Sequence, residues 1–267
     1  MRTARHERDA LGRTVQYTPL ERWEEPGARA GRRIKDVLAH LAASEIAAAA
    51  LVAGEEATEL EDFRKSLGDD ALTTEAWEAW IVDKSKDDSP VALSREWGRA
   101  ADLFLARVGR SSDEDWNEQE IRWIGDEMRL KYLVQARVAE WWIHGEDIRE
   151  GGRLPPRRED PPIYTVNDFA IRLIPYSLSL ADISHGDKTV RIELQEAGEG
   201  TWLQSTGTGD APKGADPDAY IVGEGYAFAS VAGGRADADF CLYEGVLNIG
   251  GDIELAEDVL NTLRAWP

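Results

Sequence analysis

From Arg32 to Gly54 the apolar residues Ile34, Val37, Leu38, Leu41 and Ile46 recur at helical spacing and run into a stretch of alanines. This pattern predicts a helix that stops at Gly54. Ahead of it, residues 3–17 predict a shorter polar helix, which Pro19 and the segment Glu24-Glu-Pro-Gly interrupt. Residues 55–90 are densely charged, with Gly68 and Ser89-Pro90 as punctuation, and predict short surface helices rather than core. Ser89 is placed to cap, and Pro90 to open, a helix reaching about Val108. Ser111 to Asn117 reads as an acidic loop. The longest periodic helix runs from Asp126 to Glu150 and ends at Gly151-Gly152 and Pro155-Pro156. Four main helices thus precede residue 150, with connections that allow an up-and-down four-helix bundle.

The character then changes. A run rich in proline and charge from Gly152 to Pro162 reads as a linker. Asn167 to Ser179 predicts a helix. Thr189 to Leu194 alternates with period 2, as a strand with one buried face does, and Gly200 to Ser205 is its expected hairpin partner. Ala219 to Val222 predicts a third strand, Glu224 to Gly233 a helix, and Phe240 to Leu247 a short ordered segment. Asp252 to Ala265 closes the chain as an amphipathic helix with Leu255, Val259 and Leu263 on one face. The expected architecture is a helical domain over residues 1–154 followed by a smaller α+β domain over 155–267.

Composition narrows the function. A formal charge of −20 repels phosphate backbones, so nucleic acid is not an expected partner. Cys241 is the only cysteine, which excludes a disulfide framework and fits a reducing cytosol. Thiol chemistry, if used, is expected to come from a small-molecule cofactor. No apolar run reaches about 18 residues and no signal-like segment opens the sequence, so a soluble, cytoplasmic protein without membrane partners is expected.

The candidate chemistry lies in Arg137-Val-Ala-Glu140-Trp-Trp-Ile-His144-Gly-Glu-Asp147. Residues four apart share a helix face with Cβ atoms roughly 6 Å apart, so Glu140 and His144 can close on one metal ion. Arg137 and Asp147 fall on the same stripe, which is costly to bury without water or a partner. The alternative is a solvated face with an Arg137–Glu140 pair. His40 lies in the other strongly apolar helix, one turn before the small residues Ala43, Ser44 and Ala47. It reads either as a third ligand or as a hydrogen-bonded core histidine. Together His40, Glu140 and His144 would make a two-histidine, one-carboxylate set with an open position, the pattern of catalytic rather than structural zinc. His6 and His185 are expected at the surface, and Cys241 in the core.

Two stretches carry a family resemblance. Thr18-Pro-Leu-Glu-Arg-Trp-Glu-Glu-Pro26 followed by Arg33-Ile-Lys-Asp-Val-Leu-Ala-His40-Leu-Ala-Ala-Ser-Glu45 resembles the opening of the mycothiol-dependent maleylpyruvate isomerase family. Arg122-Trp-Ile-Gly-Asp-Glu-Met128 with Ala136 to Asp147 resembles its second signature. Val231-Ala-Gly-Gly-Arg235 and Gly250 to Ala256 are similar, more weakly, to its sterol-carrier-like C-terminal domain. The resemblance implies a DinB-like bundle with a divalent metal, most simply zinc, on His40, Glu140 and His144. It also implies a mycothiol cofactor and a small electrophilic substrate, processed by isomerisation or thiol transfer. From its position one turn past His144, Asp147 reads either as orienting a ligand or as a capping or surface acid, and Arg137, facing the same cavity, either binds a substrate carboxylate or pairs with Glu140. The resemblance places Arg235 near the cleft, where it either clamps a carboxylate or is a plain surface arginine. Where many members have a Cys-x-x-Trp run, this chain has Gly27-Ala-Arg-Ala-Gly-Arg. A metal enzyme using water or another thiol, and a non-catalytic small-molecule binder, are the competing readings. The oligomeric state is left open.

Overall fold

The computed structural model describes residues 1–26, 31–68, 73–123, 126–207, 209–211, 214 and 216–266; the Gly27–Ala30 part of the divergent run lies outside them. Packing divides the chain into two compact units, Met1–Arg137 with His144–Pro156, and Val138–Ile143 with Arg157–Pro267.

The first unit holds three long helices, α1 (Arg2–Tyr17), α2 (Ile34–Val52) and α5 (Pro90–Val108), and both ends of a fourth, α7 (Leu130–Gly151), whose Val138–Ile143 stretch groups with the second unit. Between α2 and α5 come α3 (Thr58–Leu67) and α4 (Thr74–Lys84); between α5 and α7 come α6 (Asp113–Glu118) and a hairpin, β1 (Glu120–Trp123) with β2 (Asp126–Arg129). Helix α2 is buried on nearly every side from Ile34 to Ala49, as expected of a helix that is apolar all round. It packs extensively on α5. That helix starts as its sequence predicts, with Pro90 in the first turn and the Ser89 hydroxyl accepting from the Ala92 amide at 3.2 Å.

Three expectations for residues before 150 need correction. The charged 55–90 region does form short helices, but they are not confined to the surface. Leu60, Phe63, Trp77 and Ile81 are all 1% exposed. The Phe63 and Trp77 rings meet edge to face at 5.2 Å, and the Trp77 indole N–H donates to Ser44 Oγ of α2 at 3.3 Å. High average charge hid two narrow apolar stripes at i, i+3 and i, i+4. The acidic loop is instead helix α6, because Ser112 and Asp115 form a reciprocal capping box. Finally, the last long helix starts at Leu130. Its expected first turn is strand β2, paired antiparallel with β1. Ile121 and Trp123 are buried while Glu120 and Arg122 are exposed, a period-2 signal too short to stand out beside the long helical one.

The second unit holds α8 (Asp160–Arg172), α9 (Ile174–Leu180), β3 (Thr189–Gln195), β4 (Gly200–Ser205), β5 (Ala219–Glu224), α10 (Gly225–Ala232), α11 (Ala238–Tyr243), β6 (Leu247–Gly251) and α12 (Ile253–Thr262). The sheet order is β4-β3-β5-β6. Strand β3 pairs antiparallel with β4 as a hairpin and parallel with β5. The expected single helix over 167–179 is two helices broken at Leu173, where Pro175 opens the second. Strand β6 has no clear alternation because Asn248 and two glycines dilute its pattern. Asn167 ties the unit together: its buried amide donates to the carbonyls of Gly198 and Gly225, both at 3.2 Å. Gly198 has φ +78°, and a Cβ there would lie 2.5 Å from Ile163 Cγ2. Among the described residues no helix is long and apolar enough to cross a membrane.

If the α3–α4 segment is core, Trp77→Ala should cost about 3–5 kcal/mol in urea unfolding. A surface helix would lose only a few tenths.

Candidate metal centre

Helices α2 and α7 bring three donors together. His40, Glu140 and His144 are all buried, and one ligand atom from each lies within 4.8 Å of the others. The two imidazoles meet edge to face, with centroids 5.1 Å apart and an interplanar angle of 71°. Glu140 and His144 stand one turn apart on an uninterrupted helix, so helix geometry fixes their offset. His40 reaches them from α2, above a turn whose small side chains Ala43 and Ser44 are themselves buried.

Behind His144, Asp147 Oδ2 lies 3.0 Å from Nδ1, and Asp147 is 1% exposed. A carboxylate accepting there places the proton on Nδ1 and the lone pair on Nε2. This is the arrangement that prepares an imidazole to ligate. Two imidazoles and a carboxylate, buried and convergent, fit a divalent cation by donor chemistry.

A fourth ionisable group at this centre was not expected from the sequence. Glu78 of α4 is buried, with Oε1 3.9 Å from His40 Nε2 and Oε2 paired with the Arg32 guanidinium. Burial alone, the largest single influence, would raise its carboxyl pKa. When their rings are protonated, the charge of His40, then the Arg32 hydrogen bond, the charge of His144 and the Arg32 charge together outweigh it and hold the group below the usual glutamate range. Its only sequence signal is indirect: Trp77 and Ile81 orient α4, and Glu78 follows Trp77.

The expected substrate-facing Arg137 is instead tied into the core. Its Nε donates to Glu45 Oε1 at 2.8 Å, and Nη2 lies 2.7 Å from the same oxygen without the alignment of a second hydrogen bond. Its guanidinium also sits 5.5 Å from the Trp123 ring centroid. Both ends of the ion pair are almost fully buried, at 3% and 0% side-chain exposure. Arg235 lies in the second unit, just past α10, and is half-buried. His6 is exposed, as expected. His185 is not a solvated surface histidine: its side chain is 11% exposed and Nε2 lies 2.8 Å from Asp258 Oδ2. Cys241 is buried, and burial, followed by the fields of Asp237 and Glu224, pushes its thiol pKa up, away from nucleophilic use.

Because Arg137 neutralises Glu45 inside the bundle, Arg137→Met should lower stability by about 3–5 kcal/mol in urea unfolding. Adding Glu45→Leu should recover most of that loss. A guanidinium held there only for substrate would leave stability nearly unchanged.

Comparison with known proteins places this geometry in context. Residues 4–149 match the model of the mycothiol maleylpyruvate isomerase N-terminal domain, and residues 179–264 match the SCP-2 sterol transfer family. Uncharacterized proteins of two Mycobacterium tuberculosis strains, CDC 1551 and H37Rv, are each 23% identical over 216 residues, covering 78% of this chain and 76% of theirs. Crystal structures of the mycothiol-dependent maleylpyruvate isomerase and of a mutant of it share the fold. Their TM-scores are 0.59 and 0.61, at 17% and 15% identity. They cover 88% and 94% of this chain, which covers 87% and 92% of theirs. The first family model spans more than half of the chain and contains all three convergent donors; the chain therefore belongs to the mycothiol maleylpyruvate isomerase N-terminal domain family.

Proposed function

We propose that the protein is a mycothiol-dependent metalloenzyme that presents a thiol nucleophile to a small electrophile, by cis–trans isomerisation or by thiol transfer. The convergence of His40, Glu140 and His144 carries this reading, because three protein donors leave a coordination position for an exogenous ligand. A zinc ion bound there would make a coordinated thiol far more acidic, supplying thiolate at neutral pH.

The chain's own residues supply the rest. With a divalent ion bound, Glu140 would cancel one unit of its charge and neutral imidazoles none, which would leave the centre net positive toward an exogenous ligand. Asp147, accepting from His144 Nδ1, would leave Nε2 as the ring nitrogen that ligates. The surrounding burial excludes water and strengthens each of these interactions. Arg235 is proposed to clamp a substrate carboxylate, with mycothiol's partner being a small unsaturated or otherwise electron-poor acid. Arg137, engaged with Glu45, supports the site by holding α2 to α7.

His40→Ala should abolish retention of zinc after dialysis, read by elemental analysis, with the helical circular dichroism preserved. Full occupancy in that variant would remove His40 from the ligand set. Asp147→Asn should weaken zinc binding about 10- to 100-fold in a chelator competition. Titrating the zinc-loaded protein with mycothiol should reveal a thiol pKa below that of free mycothiol. Absence of binding would sink the mycothiol reading in favour of water or a different thiol.

A further inference from the structure

Six arginines on α1 and α5 lack the carboxylate partners that so acidic a chain has in excess. Arg2, Arg5, Arg13, Arg95, Arg99 and Arg110 are exposed, and among the described residues none of them is ion-paired. The two helices lie side by side and antiparallel. Arg8 of α1 donates to Asp102 of α5 at 2.8 Å, and Arg5 Nη2 lies 3.8 Å from where a Cβ on Gly109 would stand. Arg8 also reaches Asp9, at 3.4 Å, so these two exposed aspartates mark the solvent side of the seam. On each helix the three arginines fall within about 80° of that aspartate, which puts all six on one outward face. Glu96 is the one exposed acid of the two helices that Arg8 does not hold. The same helices, with the turn after α1, carry Tyr17, Leu20, Val91 and Leu103, the exposed large hydrophobics among the described residues of the first unit. Directly after Arg110 comes the opposite charge. Helix α6 exposes Asp113, Glu114, Asp115 and Glu118, and Glu120 follows on β1. Asp115 is engaged in the Ser112 cap, whereas Asp113, Glu114 and Glu120 have no ion pair among the described residues.

We propose that this face binds a second copy of the chain, with the arginines of α1 and α5 in each copy meeting the acidic α6 of the other across a two-fold axis. A basic and an acidic patch that adjoin are self-complementary, because a two-fold axis through their junction brings each onto the other twice. Ser111 and Ser112 alone separate Arg110 from α6, so the two patches adjoin. The net charge of −20 does not forbid the contact. Repulsion between whole copies acts across their full width, and salt at about 0.1 M screens charges more than about 10 Å apart. Ion pairs at contact distance survive that screening. A lipid surface or a nucleic acid offers anions only, and would set α6 against itself while meeting the arginines; a second copy satisfies both patches at once. Two helices the length of α1 side by side present roughly 24 by 20 Å, an area at the small end of stable interfaces even with α6 added. The contact should therefore be weak and sensitive to salt. It does not depend on the metal centre.

Sedimentation equilibrium of the full chain tests it. Wild type should dimerise in about 0.1 M sodium chloride, with a micromolar or weaker dissociation constant. It should be monomeric in about 1 M salt, where the screening length falls to about 3 Å. Arg5→Glu with Arg110→Glu, or Asp113→Lys with Glu114→Lys, should each weaken the dimer about tenfold or more by opposing like charges. An equimolar mixture of the two variants should recover the dimer, as should a single chain carrying all four changes. Wild type that stays monomeric up to about 1 mM protein would overturn the proposal. So would a dimer indifferent to salt, a result that needs no variant to fold, or one indifferent to both pairs of changes. A mixture that recovers no dimer, from variants that each keep the wild-type circular dichroism, would equally overturn it. Monomeric wild type that instead sediments with vesicles of equal parts phosphatidylcholine and phosphatidylglycerol would assign the arginines to a lipid surface and remove the second copy.

Discussion

Helix α7 carries Arg137, Glu140, His144, Glu146 and Asp147 where almost no solvent reaches them. Ionised groups in that position are tolerable only when each is answered by a partner. Much of the first unit follows from meeting that requirement. Arg137 is answered by Glu45 from α2 and by the face of Trp123 from the β1–β2 hairpin. His144 is answered by Asp147 one turn below. Glu140 stands among imidazoles, and a divalent cation is the partner that suits that donor set. The same logic accounts for Glu78, which α4 delivers already paired with Arg32.

This requirement also explains why function and stability are interleaved. The pair Arg137–Glu45 and the trio His40, Glu140 and His144 join the same two helices, α2 and α7. An ion held by the trio would therefore stabilise the contact that the buried pair already makes, and metal binding and folding would be coupled. Helix α4, part of a segment that looks dispensable by composition, serves both purposes. Its Trp77 and Ile81 fill the core, and its Glu78 lies beside His40 of the candidate metal centre.

How much of this was legible in the sequence depended on the length and strength of each pattern. Helices α2 and α5 and the β3–β4 hairpin carry sustained periodicity and clear caps, so their positions follow from spacing alone. Glu140 and His144 share a face because they are four apart, which is a local fact. That His40 meets them is a long-range fact, and no local pattern encodes it; the family resemblance supplied it. Glu78 and Glu45 were invisible for the same reason, as one acid among many in a chain of net charge −20 has no mark until the fold gives it a neighbour. Short elements failed differently. Strands β1 and β2 span four residues each, too few for alternation to compete with the adjoining helix signal. The Arg137–Glu45 pair is equally hidden, because a helical wheel shows what shares a face but not what packs against it.

The central claim is that the three convergent side chains hold a divalent ion with a position left for a thiol. Anomalous diffraction at the zinc edge, from crystals grown with zinc and soaked in mycothiol, tests it most directly. The account predicts one strong peak bonded to His40, Glu140 and His144, with a sulfur completing its coordination. A zinc-replete crystal with no peak at these residues, or a peak whose coordination is closed by protein atoms alone, would contradict it.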